Sequence, residues 1–184
     1  MKKSAAVKDS YTQYNSNINF DGSDRIHFYR YASGYHFRRQ TTQKFRDPSA
    51  WYHIVAVYDT DNATAADRAI LYVNGSRVTD FGTSVDPTSG ETGYINDATY
   101  TQNLGSAGDN SREFDGYLAD VYFIDGSALD PTSFGAFDAN GVWQAAAYNG
   151  SFGTNGFHLF DFANESGIGN DSSGNDNDFS VNNL

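Results

Sequence analysis

A chain of 184 residues is long enough for one self-sufficient core. Only 39% of it is hydrophobic, yet 16% is aromatic, with 13 Tyr and 14 Phe against one Met, so the core should rest on aromatic and β-branched side chains in strands. A net charge of -11 speaks against general nucleic-acid affinity, the absence of cysteine removes disulfides and zinc ribbons, and no stretch of about 18 apolar residues exists to insert into a membrane.

Residues 1–16 are polar and poor in core formers, which predicts an arm outside the folded body. Lys2 and Lys3 are followed by no apolar stretch, so no secretory signal is expected. Charge is distributed unevenly: residues 1–46 hold nine basic and three acidic side chains, and nothing after Arg112 is basic. Pairing between the two halves of one molecule would explain that; an anionic partner surface is the sharper alternative.

Next, "DRIHFYRYASGYHFRRQ" predicts a hairpin of Asp24–Tyr31 and Tyr35–Gln40 about Ala32-Ser33-Gly34, with Ile26 and Phe28 on one face and Arg25, His27 and Tyr29 on the other. "FRDPSAWYHIVAVYD" gives a turn at Asp47-Pro48 and a strand Trp51–Tyr58, apolar on both faces and so expected at the centre of a sheet. After the polar loop Asp59–Asp67, Asn74-Gly75 in "RAILYVNGSRV" is the strongest hairpin signal in the chain. "YTQNLGS" reads as a strand, and so does Tyr117–Ile124, which would place Asp120 on one face with Leu118, Tyr122 and Ile124. Asp130 before Pro131 predicts an N-cap with Pro at the first helical position, hence one or two short helical turns. "NGFHLFDF" and Phe179–Val181 are the last strand candidates. The class is all-β.

The order of "WYHIVAVYD", "ILYVNGSRV" and "NLGSAGDNSREFDGYLADVYFIDGSALDP" resembles the laminin G-like branch of the concanavalin A-like sandwiches. "FRDPSAWYHIV", "FDGYLADVYFIDGSALDPTSFGAFD" and "DSSGNDNDF" are similar to domains in tail and virion proteins of marine bacteriophages. The resemblance implies an antiparallel two-sheet β-sandwich of concanavalin A-like jelly-roll type with short helical turns. It also implies a place on a virion surface, reached after cytoplasmic synthesis without a signal peptide. The family's opening patterns are missing from residues 1–20, and one of them stands instead at "FHLFDFANESGIGNDSSGNDNDF". Residues 17–184 are therefore expected to form the sandwich, with 157–184 supplying edge strands either to its own fold or to a neighbouring subunit.

Related laminarinase-type glucanases carry E-x-D-x-x-E on one strand; this chain has only Glu91, Glu113 and Glu165, all in turns or loops, so no enzyme is expected and a glycoside hydrolase is a remote alternative. His27, His36, His53 and His158 lack metal-ligand spacing, and His53 of the W-x-H signature is expected to pack with Trp51. Asp- and Asn-rich loops could hold Ca²⁺, best at Asp59 and Asp61 and less well at 170–178, or could cap turns locally. Trp143, Tyr148, Tyr94 and Tyr100 are glycan-stacking candidates in turn-rich contexts, and Asp120 is a candidate ligand contact. Lys2, Lys3 and Lys8 are candidates for docking the arm on a particle. The expected partners are other virion proteins of capsid or tail, a second copy of the chain in a homo-oligomer, and a cell-surface polysaccharide. The favoured function is a non-enzymatic virion decoration or tail-fibre component with weak glycan binding, and the alternative is a free-standing lectin-like module.

Overall fold

The computed structural model describes residues 7–8, 14–97, 99–106, 113–162, 164 and 167–182. In chain order the strands are β1 Val7–Lys8, β2 Tyr14–Phe20, β3 Ile26–Ala32, β4 Tyr35–Thr41, β5 Ile54–Tyr58, β6 Ala69–Val73, β7 Ser76–Arg77, β8 Phe81–Val85, β9 Asn103–Leu104, β10 Val121–Phe123, β11 Gly135–Phe137, β12 Trp143–Ala145 and β13 Phe157–Leu159. Among the described residues, helical structure is confined to 3₁₀ turns at Ala65–Asp67 and Pro131–Ser133. The second has the expected cap: Asp130 accepts a hydrogen bond from the Thr132 N–H, and Pro131 opens the turn. Every pairing is antiparallel, and the fold is an all-β sandwich of concanavalin A-like type.

Two compact units divide the chain, Met1–Gly116 with Asp130–Ala147, and Tyr117–Leu129 with Tyr148–Leu184. The first unit contains a six-stranded sheet in the order β8-β4-β3-β2-β1-β9, a three-stranded sheet β5-β6-β7 and the β11-β12 hairpin. Period-two alternation decides which side chains enter its core. Ile18 of β2, Ile26 and Phe28 of β3, and Phe37 of β4 meet Ala69 and Leu71 of β6, with Phe45 sealing one end of the cluster. Phe28 and Phe37 meet edge to face at 4.7 Å, Phe37 stacks on Tyr58 at 4.9 Å, and Phe45 meets Tyr52 at 5.1 Å.

Two arginines are buried on this side of the sheet, Arg30, paired with Glu91, and Arg39. Arg39, 2% exposed, lies opposite Phe28 on the core side of β4. Its Nε donates to the Ala69 carbonyl of the facing sheet at 3.0 Å. Nη1 donates to the Arg38 and Val85 carbonyls and to Ser84 Oγ, and Nη2 reaches Asp86 Oδ1 at 2.6 Å. A single guanidinium thus ties β4, β6 and the end of β8 together.

The Asn74-Gly75 hairpin forms as expected between β6 and β7, with φ of 48° and 75°. Several expectations need correction. Val7–Lys8 and Tyr14–Ser16, assigned to an arm, are strand residues of the large sheet, because their backbone groups pair with β9, β2 and β3. The Trp51–Tyr58 strand begins only at Ile54 and lies at one end of its sheet with β6 at the centre, while Trp51 is 66% exposed. In the second unit, Tyr117–Ile124 shrinks to β10, which pairs with β13 of Phe157–Leu159, and Phe179–Val181 is not a strand.

Replacing Arg39 by Met keeps the aliphatic stem but orphans the Ala69 and Val85 carbonyls and frees Asp86. Urea unfolding is expected to show a loss of about 2–4 kcal/mol; a loss under about 0.5 kcal/mol would mean that the guanidinium does not join the sheets.

Candidate functional site

The alternation that buries Ile18, Phe28 and Phe37 sends the intervening residues of the same strands to the opposite face of the six-stranded sheet. Register arranges them in three rows: Asn15, Tyr31 and Tyr35; Asn17, Tyr29, Arg38 and Val85; and Asn19, His27, Gln40 and Thr83. This outer face is aromatic, amide-rich and basic, and none of the rows contains a carboxylate.

Tyr35 is the most open of its rings, 41% exposed. Tyr29 and Tyr31 meet it edge to face at 5.6 and 5.2 Å, and the Arg38 guanidinium lies over it at 4.4 Å. His27 is buried against Tyr29 in a stack at 4.2 Å. Its Nε2 accepts from Arg38 Nε at 3.0 Å, so the neutral imidazole carries its proton on Nδ1. Burial, and next the Arg38 charge, push the His27 pKa down to about 4; Arg25 adds to the fall and Asp21 partly opposes it. Arg38 Nη2 donates to Gln40 Oε1 at 3.3 Å, and Gln40 Nε2 donates to Asp21 Oδ2 at 2.7 Å. Asp21, also bound by Arg25, titrates below the usual carboxylate range: burial alone would raise it, but the Ser23 and Arg25 N–H groups and the Arg25 side chain outweigh that.

Along β2, the Oδ1 atoms of Asn15, Asn17 and Asn19 are inaccessible to solvent and have no hydrogen-bond partner. Asn17 Nδ2 lies 3.5 Å from the Tyr29 hydroxyl. An open phenol ring flanked by two others and a guanidinium can hold the apolar face of a sugar ring while hydrogen-bonding its oxygens. None of these residues was singled out as a site from the sequence. The signal was present: Asn at every second position of "YNSNINF" beside His and Tyr at every second position of "IHFYRYA".

The sequence-derived candidates lie elsewhere. Tyr94 and Tyr100 do come together, at 5.0 Å, but they hold a loop in place: Arg30 lies 4.6 Å over Tyr94 and donates to its hydroxyl at 3.2 Å, and the Tyr94 N–H bonds Ser16 Oγ. Glu91 anchors the same loop, accepting from Arg30 Nη1 and lying against His36 Nδ1. Tyr58, whose hydroxyl donates to the Glu91 carbonyl, is pushed up to about 12, by burial first and by the Glu91 charge second. Trp143 packs on the β6-β7 turn, where a Cβ on Gly75 would stand 2.1 Å from its Cε3, and its Nε1 donates to His53 Nδ1 at 3.1 Å. His53 therefore stacks on Trp143 rather than on Trp51.

In the second unit Asp120 precedes β10 with φ of 50°, outside the strand, yet it stays near Tyr122, whose pKa is raised by burial first and by the Asp120 charge second. Its Oδ1 meets His158 Nε2 at 3.2 Å. His158 stacks on Tyr122 at 4.2 Å, and its Nδ1 lies 2.9 Å from Ser172 Oγ. Tyr148 leans edge-on against Phe152 and donates to the Ser151 carbonyl.

For metal binding, Asp59 Oδ1 accepts from the Asp61 N–H in a local turn, and among the described residues no three His, Cys, Asp or Glu gather in one place. The 170–178 segment is likewise closed on itself. Both Asp171 oxygens take N–H donors, from His158 and Ser173 on one side and Asn177 on the other; these outweigh burial and lower its pKa. Lys2 and Lys3 lie outside the described residues, and Lys8 pairs with Asn17 and Asn103 through β1.

A laminin G-like family model, described as the concanavalin A-like lectin/glucanases superfamily, matches residues 2–133, which include β1 to β10. No curated protein matches the chain, and no solved structure does.

Because His27 titrates near 4 in the folded state against 6.5 as a free side chain, the unfolded chain binds its proton first as pH falls. Stability from this group is complete above about pH 6.5, drains away between 6.5 and 4, and changes no further below. His27→Gln should lose less stability than the native sequence between pH 7 and 4, by on the order of 2 kcal/mol in urea midpoints; parallel curves would exclude this coupling.

Proposed function

Given that the chain belongs to the concanavalin A-like lectin/glucanases superfamily, we propose that it is a glycan-binding module without hydrolytic activity, and that the outer face of its six-stranded sheet is the binding surface. One observation carries this: Tyr35, open to solvent and flanked by Tyr29 and Tyr31, shares that face with Arg38, Gln40 and the three Asn of β2. Aromatic rings supply area at low conformational cost, and the Arg38 guanidinium supplies directional donors.

The groups on that face support the reading without hydrolysis. Glycosidic cleavage needs two carboxyl groups flanking the bond, and the three rows offer none. Asp21, which reaches their margin, is held by Gln40 and Arg25, and Glu91 is engaged by Arg30. The virion-surface setting implied by the sequence resemblance draws no support from the site, which fits a lectin-like module in any setting.

A polysaccharide array separates the two kinds of tyrosine and tryptophan role. Tyr35→Ala should weaken binding about tenfold or more with unchanged thermal stability. Trp143→Ala should leave binding intact but cost roughly 1–3 kcal/mol, since it empties the contact with Gly75 and His53. Binding that depends on Trp143 and ignores Tyr35 would move the site away from this face. Product release from any bound polysaccharide would overturn the non-enzymatic assignment.

A further inference from the structure

The outer face contains an unneutralised charge. Arg25, Arg30, Arg39, Arg46 and Arg77 each meet a carboxylate, and Arg68 is held by the carbonyls of Asn62, Ala63 and Pro87. Arg38 alone among the described arginines bonds neither a carboxylate nor a backbone carbonyl. Its two bonds go to neutral acceptors, His27 Nε2 and Gln40 Oε1, and Nη1 has no partner among the described residues. The guanidinium is nonetheless fixed in place by the Tyr35 ring below it and by those two bonds at its side.

A planar cation held rigid, with one nitrogen free and no counter-charge, is arranged to receive an oxyanion. His27 cannot supply competing charge near neutral pH, because it is neutral there. Tyr29 adjoins Arg38 across the strands and adds a phenol beside it.

Resting on the glycan-binding function above, we infer that the ligand is an acidic polysaccharide and that Arg38 receives its carboxylate or sulfate group. The shared chemistry is a monoanionic oxygen group on a sugar ring; uronic acids and sulfate esters are its two sources.

The full chain is titrated calorimetrically with oligogalacturonate, dextran sulfate and unsubstituted dextran, as the native sequence and as Arg38→Gln, Arg38→Lys and Arg77→Gln, with near-ultraviolet circular dichroism to confirm folding. At least one polyanion should bind and dextran should not. Arg38→Gln should weaken that binding about tenfold or more, and Arg38→Lys should restore part of it. Arg77→Gln removes the same charge from an arginine paired with Asp67, and should change binding by less than about twofold. Preference for oligogalacturonate assigns a carboxylate and preference for dextran sulfate assigns a sulfate ester. Equal losses in Arg38→Gln and Arg77→Gln, or dextran binding that Arg38→Gln leaves untouched, would overturn the inference while glycan binding stands. Failure of all three polymers also overturns it, and the Tyr35→Ala array result then decides whether glycan binding falls too.

Discussion

The sandwich in the first unit is organised around a charge in its core. Arg39 could not remain there unpaired, since an isolated buried cation costs more than the packing around it returns. The surrounding chain answers that constraint: the Ala69 carbonyl turns toward it from β6, Ser84 and Val85 from β8, and Asp86 closes the ring of acceptors where the chain leaves the sheet. Hydrophobic contact brings the two sheets together but is indifferent to sliding. Directional bonds from one side chain to three segments are not, so Arg39 fixes the register in which Phe28, Phe37 and Leu71 interlock.

Arg38 is its immediate neighbour, and the pleat sends it the other way. Two consecutive arginines therefore face opposite environments: one surrounded by acceptors, the other resting on Tyr35 with two neutral partners. The aromatic residues divide along the same line. Within β3 and β4, Phe28 and Phe37 face inward while Tyr29, Tyr31 and Tyr35 face outward, where a phenol can use its hydroxyl; Tyr58, which enters the core from β5, has its hydroxyl met by the Glu91 carbonyl. Core and binding face are two readouts of one alternating pattern.

Local pattern was legible in the sequence wherever neighbours in the chain are neighbours in space. The β3-β4 hairpin, the Asn74-Gly75 turn and the Asp130-Pro131 cap all depend on residues within one element or its adjoining turn. What escaped depends on long-range partners. His53 finds Trp143 ninety residues away in sequence, and the W-x-H spacing points to Trp51 instead. Positive φ at Asp120 interrupts an alternation that looks continuous in "YLADVYFI". Residues 7–8 have no strand signature of their own and are strand because β2 and β9 offer them backbone partners on both sides. The candidate site was missed for a related reason: aromatic residues in turns drew attention, whereas the useful ones lie mid-strand, and their grouping shows only when three strands are laid in register.

A chain with a net charge of -11 seems an unpromising host for an acidic ligand. The objection weakens with distance. Beyond a Debye length of about 8 Å at physiological salt the repulsion is screened, whereas a bond to a guanidinium held against an aromatic ring is made at contact. The acidic excess also lies largely apart in sequence from the face in question: β2, β3 and β4 contribute three arginines and no carboxylate. Two of those arginines, Arg30 and Arg39, are cancelled by Glu91 and Asp86, which leaves Arg38 as the local source of field. Long-range repulsion then governs how often a polyanion approaches, and the short-range geometry at Arg38 governs whether it stays.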